Sequence, residues 1–398
     1  GVRTMRVRRC AVLWLESREV AHFDLENLLA GGTGIHSQLQ WFAHAPHLPA
    51  PVVVDADALL LLGELSPLDW VAESPLREWH GAANLRRLLK SGLLIGSTKP
   101  WVAQREADER CRDLHWHGLA AVWHVAARWQ GVDSAQGVID AGVDTAEGLR
   151  DKHGAPPPAL LERGEAHARI GLPTAPPDTF DALLDARATC RNFDTRALLS
   201  LDVLARVLAR TFGMRAAMHA ADDFDVIKRT SPSGGALHPT ECYLIVQRVE
   251  GLVPGLYHYH GGAHALETLP MLDGVALADF AKTAVAGQHW FAEAPVLCVL
   301  APRYGRNFWK YRNHPKAYRV CILDVGHLSQ TLQLCATQEG LGSFVTAAIN
   351  EVDIERAFGL DGVVDGPLAV CGFGVRAQAM ATYELDPNHK VWPRAGMV

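Results

Sequence analysis

The segment Arg319 to Glu339 has helical spacing and apolar side chains on most of its faces, with Gly340 directly behind it as a stop. A helix apolar nearly all round has no face to give to water, so the rest of the fold or a second subunit must cover it. The neighbouring sequence supplies strands for that cover. Glu241–Val249 is rich in β-formers, and Gly255–His260 with His264–Leu269 reads as a hairpin around Gly261–Gly262. Pro295–Ala301, Ser343–Ile349 and Pro367–Phe373 complete the set, and Ser200 caps a helix expected to reach about Phe212, with Asp202 in its first turn. Helices and strands alternating in this order predict an α+β sandwich from Thr179 onward.

The chain ahead of it is different in character. Residues 1–150 are rich in Leu, Trp and His. Arg8–Leu15 and Val52–Val54 read as strands, Asn84–Leu94 as a helix ending at Gly92 and passing into a short strand, and His117–Trp129 as a further helix. Helix, glycine turn and strand together suggest a winged-helix-like module. Pro156 to Pro158, Pro173, Pro176 and Pro177 break regular structure, so residues 151–178 are expected to connect this domain to the one at 179–398.

Composition narrows the function classes. A net charge of −6 argues against a nucleic-acid surface, which needs excess positive charge to displace counterions. The basic cluster Arg3, Arg6, Arg8 and Arg9 flanks an apolar run that extends only from Ala11 to Leu15, too short for a secretion signal, and nothing is long enough to span a membrane. The eight cysteines are scattered without a CxxC pair, and several sit in apolar runs, so reduced buried thiols and a cytoplasmic location are expected.

Four stretches carry chemistry. In Arg229–Glu241, RTSPSGGALHPTE, paired glycines permit close backbone approach and Ser231 and Ser233 bring hydroxyls, although an ordinary tight turn explains the stretch equally well. Arg187 and Arg191, four apart on an expected helical turn, share a face that can clamp a phosphate; most such pairs are solvated surface. Gly340-Leu341-Gly342 is a permissive turn, and a plain helix cap would account for Gly340 alone. Lys310-Tyr311 can move a proton if burial lowers the lysine pKa, whereas a snorkelling lysine beside a packed tyrosine is the ordinary reading. His115, His117 and His124 lack a carboxylate or cysteine to complete a metal site, so no metal is expected. P-loop, GxSxG and GxGxxG fingerprints are absent.

Taken in order, these motifs, with V-x-G-L-x-P-G-L-Y-H-Y, E-A-P-V, D-x-G-H and E-G-L-G around them, resemble the thiazoline/oxazoline dehydrogenases of the nitroreductase superfamily, which mature ribosomally made peptides. The resemblance spans about residues 180 to 376. It implies a nitroreductase-like, FMN-binding α-β-α sandwich that dimerises with a second copy through the long helix. It implies phosphate contacts from Arg187 and Arg191, with Arg376 a weaker candidate. Ser231, Pro232, Ser233 and Gly234 would line the flavin, Glu241 would open the next strand, and Gly340 and Gly342 would approach the cofactor. Lys310 and Tyr311 would take a proton from the azoline, and a cyclodehydratase would act beside the enzyme on a precursor peptide. Cys190 and His314-Pro315 depart from the pattern and leave the substrate open. Two other functions compete: a general NAD(P)H-dependent nitro- or quinone reductase, and a flavin-free peptide-binding scaffold.

Overall fold

The structure is a computed structural model that describes residues 4–271 and 274–393, so Arg3 of the basic cluster lies outside the described residues. The chain forms two compact units. The first holds Gly1–Arg128 together with Arg303–Cys321 and Asp361–Gly366; the second holds Trp129–Pro302, Ile322–Leu360 and Pro367–Val398.

In the first unit the strands are β1 (Arg6–Arg9), β2 (Trp14–Phe23), β3 (Ile35–His44), β4 (Val52–Val54), β5 (Val71–Ala72) and β6 (Leu94–Gly96). They form two sheets, β5-β1-β6 and β2-β3-β4. The single strand expected over Arg8–Leu15 is two strands, because the chain leaves β1 at Cys10 and re-enters a different sheet at Trp14. The helix Ala82–Ser91 buries Leu85, Leu88 and Leu89 against Val7, Leu61, Leu62 and Ile95. It stops where its composition says it should. Gly92 takes φ +83 and returns its N–H to the Leu89 carbonyl, and a Cβ there would lie 2.8 Å from Leu48.

A separate aromatic cluster sits in the same unit. Trp116 packs on Phe308 at 4.5 Å and on Tyr304 at 4.9 Å between ring centroids. His124, on the helix Gly118–Ala126, is buried with both ring nitrogens engaged, Nε2 with the Gly362 carbonyl at 2.6 Å and Nδ1 with the Tyr318 hydroxyl at 2.8 Å.

The second unit is built on β7 (Ala216–Ala221), β8 (Phe224–Lys228), β9 (Thr240–Val246), β10 (Gly255–His260), β11 (Ala265–Leu269), β12 (Val296–Pro302), β13 (Gly342–Thr346) and β14 (Ala369–Gly374). Six of them make an antiparallel sheet in the order β11-β10-β9-β12-β14-β13. Strand β12 is buried at every position. One face, with Leu244, Cys298, Leu300 and Phe373, packs against Leu204 and Leu208 of the helix Leu201–Phe212 and against Val325, Leu328 and Leu332 of the long helix Ala317–Gln338. The other, with Ile245, Leu297, Val299 and Phe344, meets Phe280 of the helix Leu277–Ala284 and Ile354 and Phe358 of the helix Glu351–Phe358. The result is an α-β-α layering in a mixed α+β protein. The long helix is not covered all round within one chain, since Ile322 and Leu323 remain 37% and 54% exposed.

The hairpin β7–β8 carries no sequence signal. Strand β7 (AAMHAA) is rich in alanine and exposed throughout, so the usual alternation is missing, and β8 is only five residues long. Between the helix Ala146–His153 and Asp178 the described chain has only the short 3-10 turn Ala166–Ala168. All eight cysteines are free, and burial raises the Cys10, Cys111 and Cys190 thiols to about 12. Among the described residues no helix is long and apolar enough to cross a membrane.

Burial lowers the His124 pKa to about 4, outweighing the hydrogen bond to Gly362. The unfolded chain takes up this proton near its ordinary value of 6.5, so between 6.5 and 4 the folded state binds fewer protons. Stability is full above pH 6.5 and falls as pH drops through that window, by about 3 kcal/mol for this group. Urea midpoints measured from pH 7 to 4 should show this slope, and His124→Phe should flatten it.

Candidate functional site

The loop Arg229–Thr240 is held at both ends and in the middle. Arg229 Nη1 donates to the Thr240 carbonyl at 2.8 Å, closing the base. The backbone turns through the left-handed region at Gly235 (φ +65), Ala236 (φ +56) and His238 (φ +45). Only the first of these is a residue without a Cβ penalty, so the two others carry strain of about 1–2 kcal/mol each. Polar contacts hold that shape. Ser233 Oγ donates to Asp324 and accepts from the His238 N–H at 3.0 Å, and the Gly234 N–H reaches Asp324 Oδ1 at 3.4 Å. Ser231 and Thr331 share a hydroxyl hydrogen bond of 2.6 Å, and the exposed Pro232 offers its carbonyl to His327 at 3.4 Å.

Asp324, His327 and Thr331 all lie on the long helix, so that helix clamps the loop. Asp324 opens the D-x-G-H stretch, where one carboxylate at helical spacing gives no sign that it faces a loop ninety residues upstream. It is only 3% exposed, and burial raises its pKa against the lowering effect of the bonds from Ser233 and Gly234. Beside the loop lies a cavity of about 560 Å³, lined by Ala217, Met218 and Ile227 from the β7–β8 hairpin and by Ser231, Ser233 and His238.

A second group forms around β13. The helix Thr179–Ala186 ends before Arg187, and the chain then runs extended, with Thr189 bridging to Ser343 and the Cys190 N–H bonded to the Ser343 carbonyl at 2.8 Å. The helical turn expected for Arg187 and Arg191 is therefore absent. β13 is the edge strand of the sheet, and its free backbone groups draw this segment into extended pairing. Residues four apart remain on one side of an extended chain, as they would on a helix. The Arg191 guanidinium lies 5.7 Å from the Phe291 ring centroid. Gly342 is where Cys190 comes closest, since a Cβ would stand 2.5 Å from the Cys190 sulfur. Gly340 takes φ +72 with open space around it and closes the long helix with its N–H on the Thr337 carbonyl, the behaviour of a helix cap.

Arg376 pairs with Glu384 and donates to the Ala188 carbonyl at 3.2 Å. Glu384, 2% exposed, also accepts from the Arg191 N–H, Asn192 Nδ2 and Trp392 Nε1. Sequence reasoning missed it, because a single acidic residue in a polar tail looks like solvated surface. Glu241, at the head of β9, bonds His258 at 3.0 Å, and His258 also meets Glu267 at 2.6 Å. The bond to Glu241, then that to Glu267, raises the His258 pKa against the effect of burial.

Lys310 and Tyr311 belong to the first unit, in the segment Arg303–Cys321, whereas the other expected site residues belong to the second. They follow the helix Tyr304–Phe308; Lys310 is exposed, and its Nζ lies 5.5 Å from the centroid of the Tyr311 ring.

Comparison with known proteins bears on residues 184–375, which match the model of the nitroreductase family. The trifolitoxin-processing protein TfxB of Rhizobium leguminosarum bv. trifolii is 26% identical over 172 residues, 43% of this chain and 46% of that protein. The microcin B17-processing protein McbC of Escherichia coli is 27% identical over 190 residues, 46% of this chain and 65% of that protein. The matched stretch thus spans less than two thirds of either relative. A solved structure of the E. coli microcin synthetase McbBCD complex with truncated pro-MccB17 bound superposes with a TM-score of 0.47 at 19% identity, covering 70% of this chain and 95% of that one.

Asp324→Ala removes the acceptor of the Ser233 hydroxyl and of the Gly234 N–H, and should lower unfolding free energy by about 1–3 kcal/mol in urea titrations. Gly342→Ala should also destabilise, because the added Cβ must displace Cys190; an unchanged midpoint for both would mean that neither contact is tight.

Proposed function

We propose, from the match of residues 184–375 to the nitroreductase family model, that the chain is an FMN-dependent dehydrogenase oxidising thiazoline or oxazoline rings in a ribosomally made peptide to azoles. The observation that carries the reading is that the chain aligns over 172 and 190 residues with two peptide-processing proteins, while Lys310 and Tyr311 stand side by side. A nitro- or quinone reductase would leave that pair without work.

The residues fit FMN. Ser343 Oγ is buried directly after Gly342 and has no hydrogen-bond partner, the state of a donor kept for a ligand. Arg187 and Arg191 bring positive charge for a phosphate, with Arg376 already committed to Glu384, while Gly342 is buried beneath Cys190. The loop Ser231–Gly234 would lie along the ring system, its shape held by Asp324 so that binding orders little further. FMN, when bound, supplies the two-electron acceptor. The work left to this chain is to hold the azoline and to take its Cα proton on Tyr311 or Lys310 as hydride leaves the neighbouring carbon.

Ile322 and Leu323, two large apolar residues exposed on the long helix, support a homodimer in which a second copy covers them. The precursor peptide is the substrate and a cyclodehydratase the partner that makes its azolines. Free, buried thiols suit a cytoplasmic protein. The run from Ala56 to Gly96, helix–strand–helix–helix–strand with β1 at the centre of its sheet, supports a winged-helix-like module within residues 1–150.

The purified protein should show a flavin absorbance spectrum and release FMN on denaturation. Lys310→Ala should keep the flavin and abolish azole formation on a synthetic peptide carrying one thiazoline; full turnover would rule out the proton-transfer role. Rapid NAD(P)H consumption with small nitroaromatics and no peptide oxidation would favour the reductase instead.

A further inference from the structure

The segment that carries Lys310 and Tyr311 is gripped at both ends by side chains from residues 114–124. At its start, Tyr304 and Phe308 are both fully buried against Trp116, whose Nε1 donates to the Val363 carbonyl at 3.0 Å. At its end, Tyr318 is 6% exposed and meets His124 through its hydroxyl, Trp116 at 5.4 Å and Trp123 at 5.3 Å between ring centroids. Asn307, buried, ties the two ends together by donating Nδ2 to the Ala317 carbonyl at 2.9 Å. Midway, the Asn313 N–H bonds the His115 carbonyl at 2.8 Å. The Tyr311 N–H returns to the Asn307 carbonyl at 3.2 Å, so the pair hangs directly from this frame.

The His124 tautomer follows from its partners. The Gly362 carbonyl can only accept, so Nε2 carries the hydrogen; Nδ1 is then bare and accepts from the Tyr318 hydroxyl. A directional bond of this kind fixes the rotation of the Tyr318 ring, which packing alone would leave free to slide.

We propose that His124 and Trp116 are positioning residues for the Lys310–Tyr311 pair, acting through Tyr318, Tyr304 and Phe308 to set where that segment holds its side chains. This role rests on the azoline-dehydrogenase reading. It gives the N-terminal part of the chain a task in the reaction itself, because a proton-transfer pair displaced by about 1 Å loses rate by up to about a hundredfold without losing substrate affinity.

The test uses the full-length, FMN-loaded protein and a synthetic peptide carrying one thiazoline. Tyr318→Phe and His124→Phe should each lower kcat per bound FMN about tenfold, with KM and flavin content unchanged. The double variant should be no worse than either single one, since both break the same bond. His124→Asn, whose amide oxygen can still accept from Tyr318, should recover most of the rate. Amide hydrogen exchange over residues 309–316 should quicken in Tyr318→Phe. If kcat per bound FMN and exchange are both unchanged while Lys310→Ala is inactive, the positioning role is wrong and the reaction assignment stands. Losses that merely track a lower Tm, with kcat per folded molecule intact, overturn it equally. Full turnover by Lys310→Ala rules out the proton-transfer role of the pair, and the positioning role with it, whereas no azole formation by the unaltered FMN-loaded protein overturns the reaction assignment.

Discussion

Strand β12 is buried along both of its faces, and the second unit is organised around that requirement. A strand apolar on both sides needs a layer above and a layer below, at about 25 cal/mol for each Å² of apolar surface removed from water. One layer must include a helix long enough to run beneath several strands, which is what Ala317–Gln338 does with Val325, Leu328, Leu332 and Ala336. The same helix presents its other residues, Asp324, His327 and Thr331, to the loop Arg229–Thr240. The element that covers the core therefore also shapes the loop, and core packing and loop geometry cannot vary independently.

Two buried carboxylates hold segments of the second unit in shape, Asp324 the loop and Glu384 the arginine segment. Asp324 accepts from a hydroxyl and a backbone N–H, and Glu384 from a guanidinium, a backbone N–H, an amide and an indole. A buried carboxylate is costly unless such donors surround it. Once surrounded, it fixes its donors in place, because removing any of them leaves charge uncompensated. The strain at Ala236 and His238 is tolerable for that reason: bonds from Ser233 and Asp324 over-determine the loop.

The first unit achieves the same end by other means. Trp116, Tyr304, Phe308 and Tyr318 form a dry aromatic cluster in which a neutral His124 supplies the directional bonds. Aromatic contact areas are large but weakly oriented, whereas a histidine with one donor and one acceptor specifies a single arrangement. Lys310 and Tyr311 extend from this frame, so the reactivity proposed for them depends on packing supplied by Trp116 and His124.

Much of this was legible in the residues themselves. Hydrophobic spacing located the helix Leu201–Phe212, the strands β9, β10, β12 and β14, and the long helix to within a few residues; Gly92 and Gly340 marked two helix ends. These are local properties, set by period, capping and turn chemistry. Residue chemistry singled out the loop Arg229–Glu241 and the pair Lys310–Tyr311 while leaving ordinary readings open, and family resemblance supplied the roles expected of them. Contacts between distant residues were not legible. Nothing near Asp324 or Glu384 announces the loop or the arginine segment each one holds, and Arg187–Arg191 looked helical until an edge strand offered it backbone partners. Local pattern was enough for most helices and strands of the second unit and for the residues chemically able to act, but not for the hairpin β7–β8 or the extended segment at Arg187–Arg191. That Tyr318 bonds His124, and that segment 303–321 groups with the N-terminal chain, emerges from the folded contacts alone. The physical reason is that such pairings depend on which surfaces burial brings together, and a single chain's local pattern does not encode that choice.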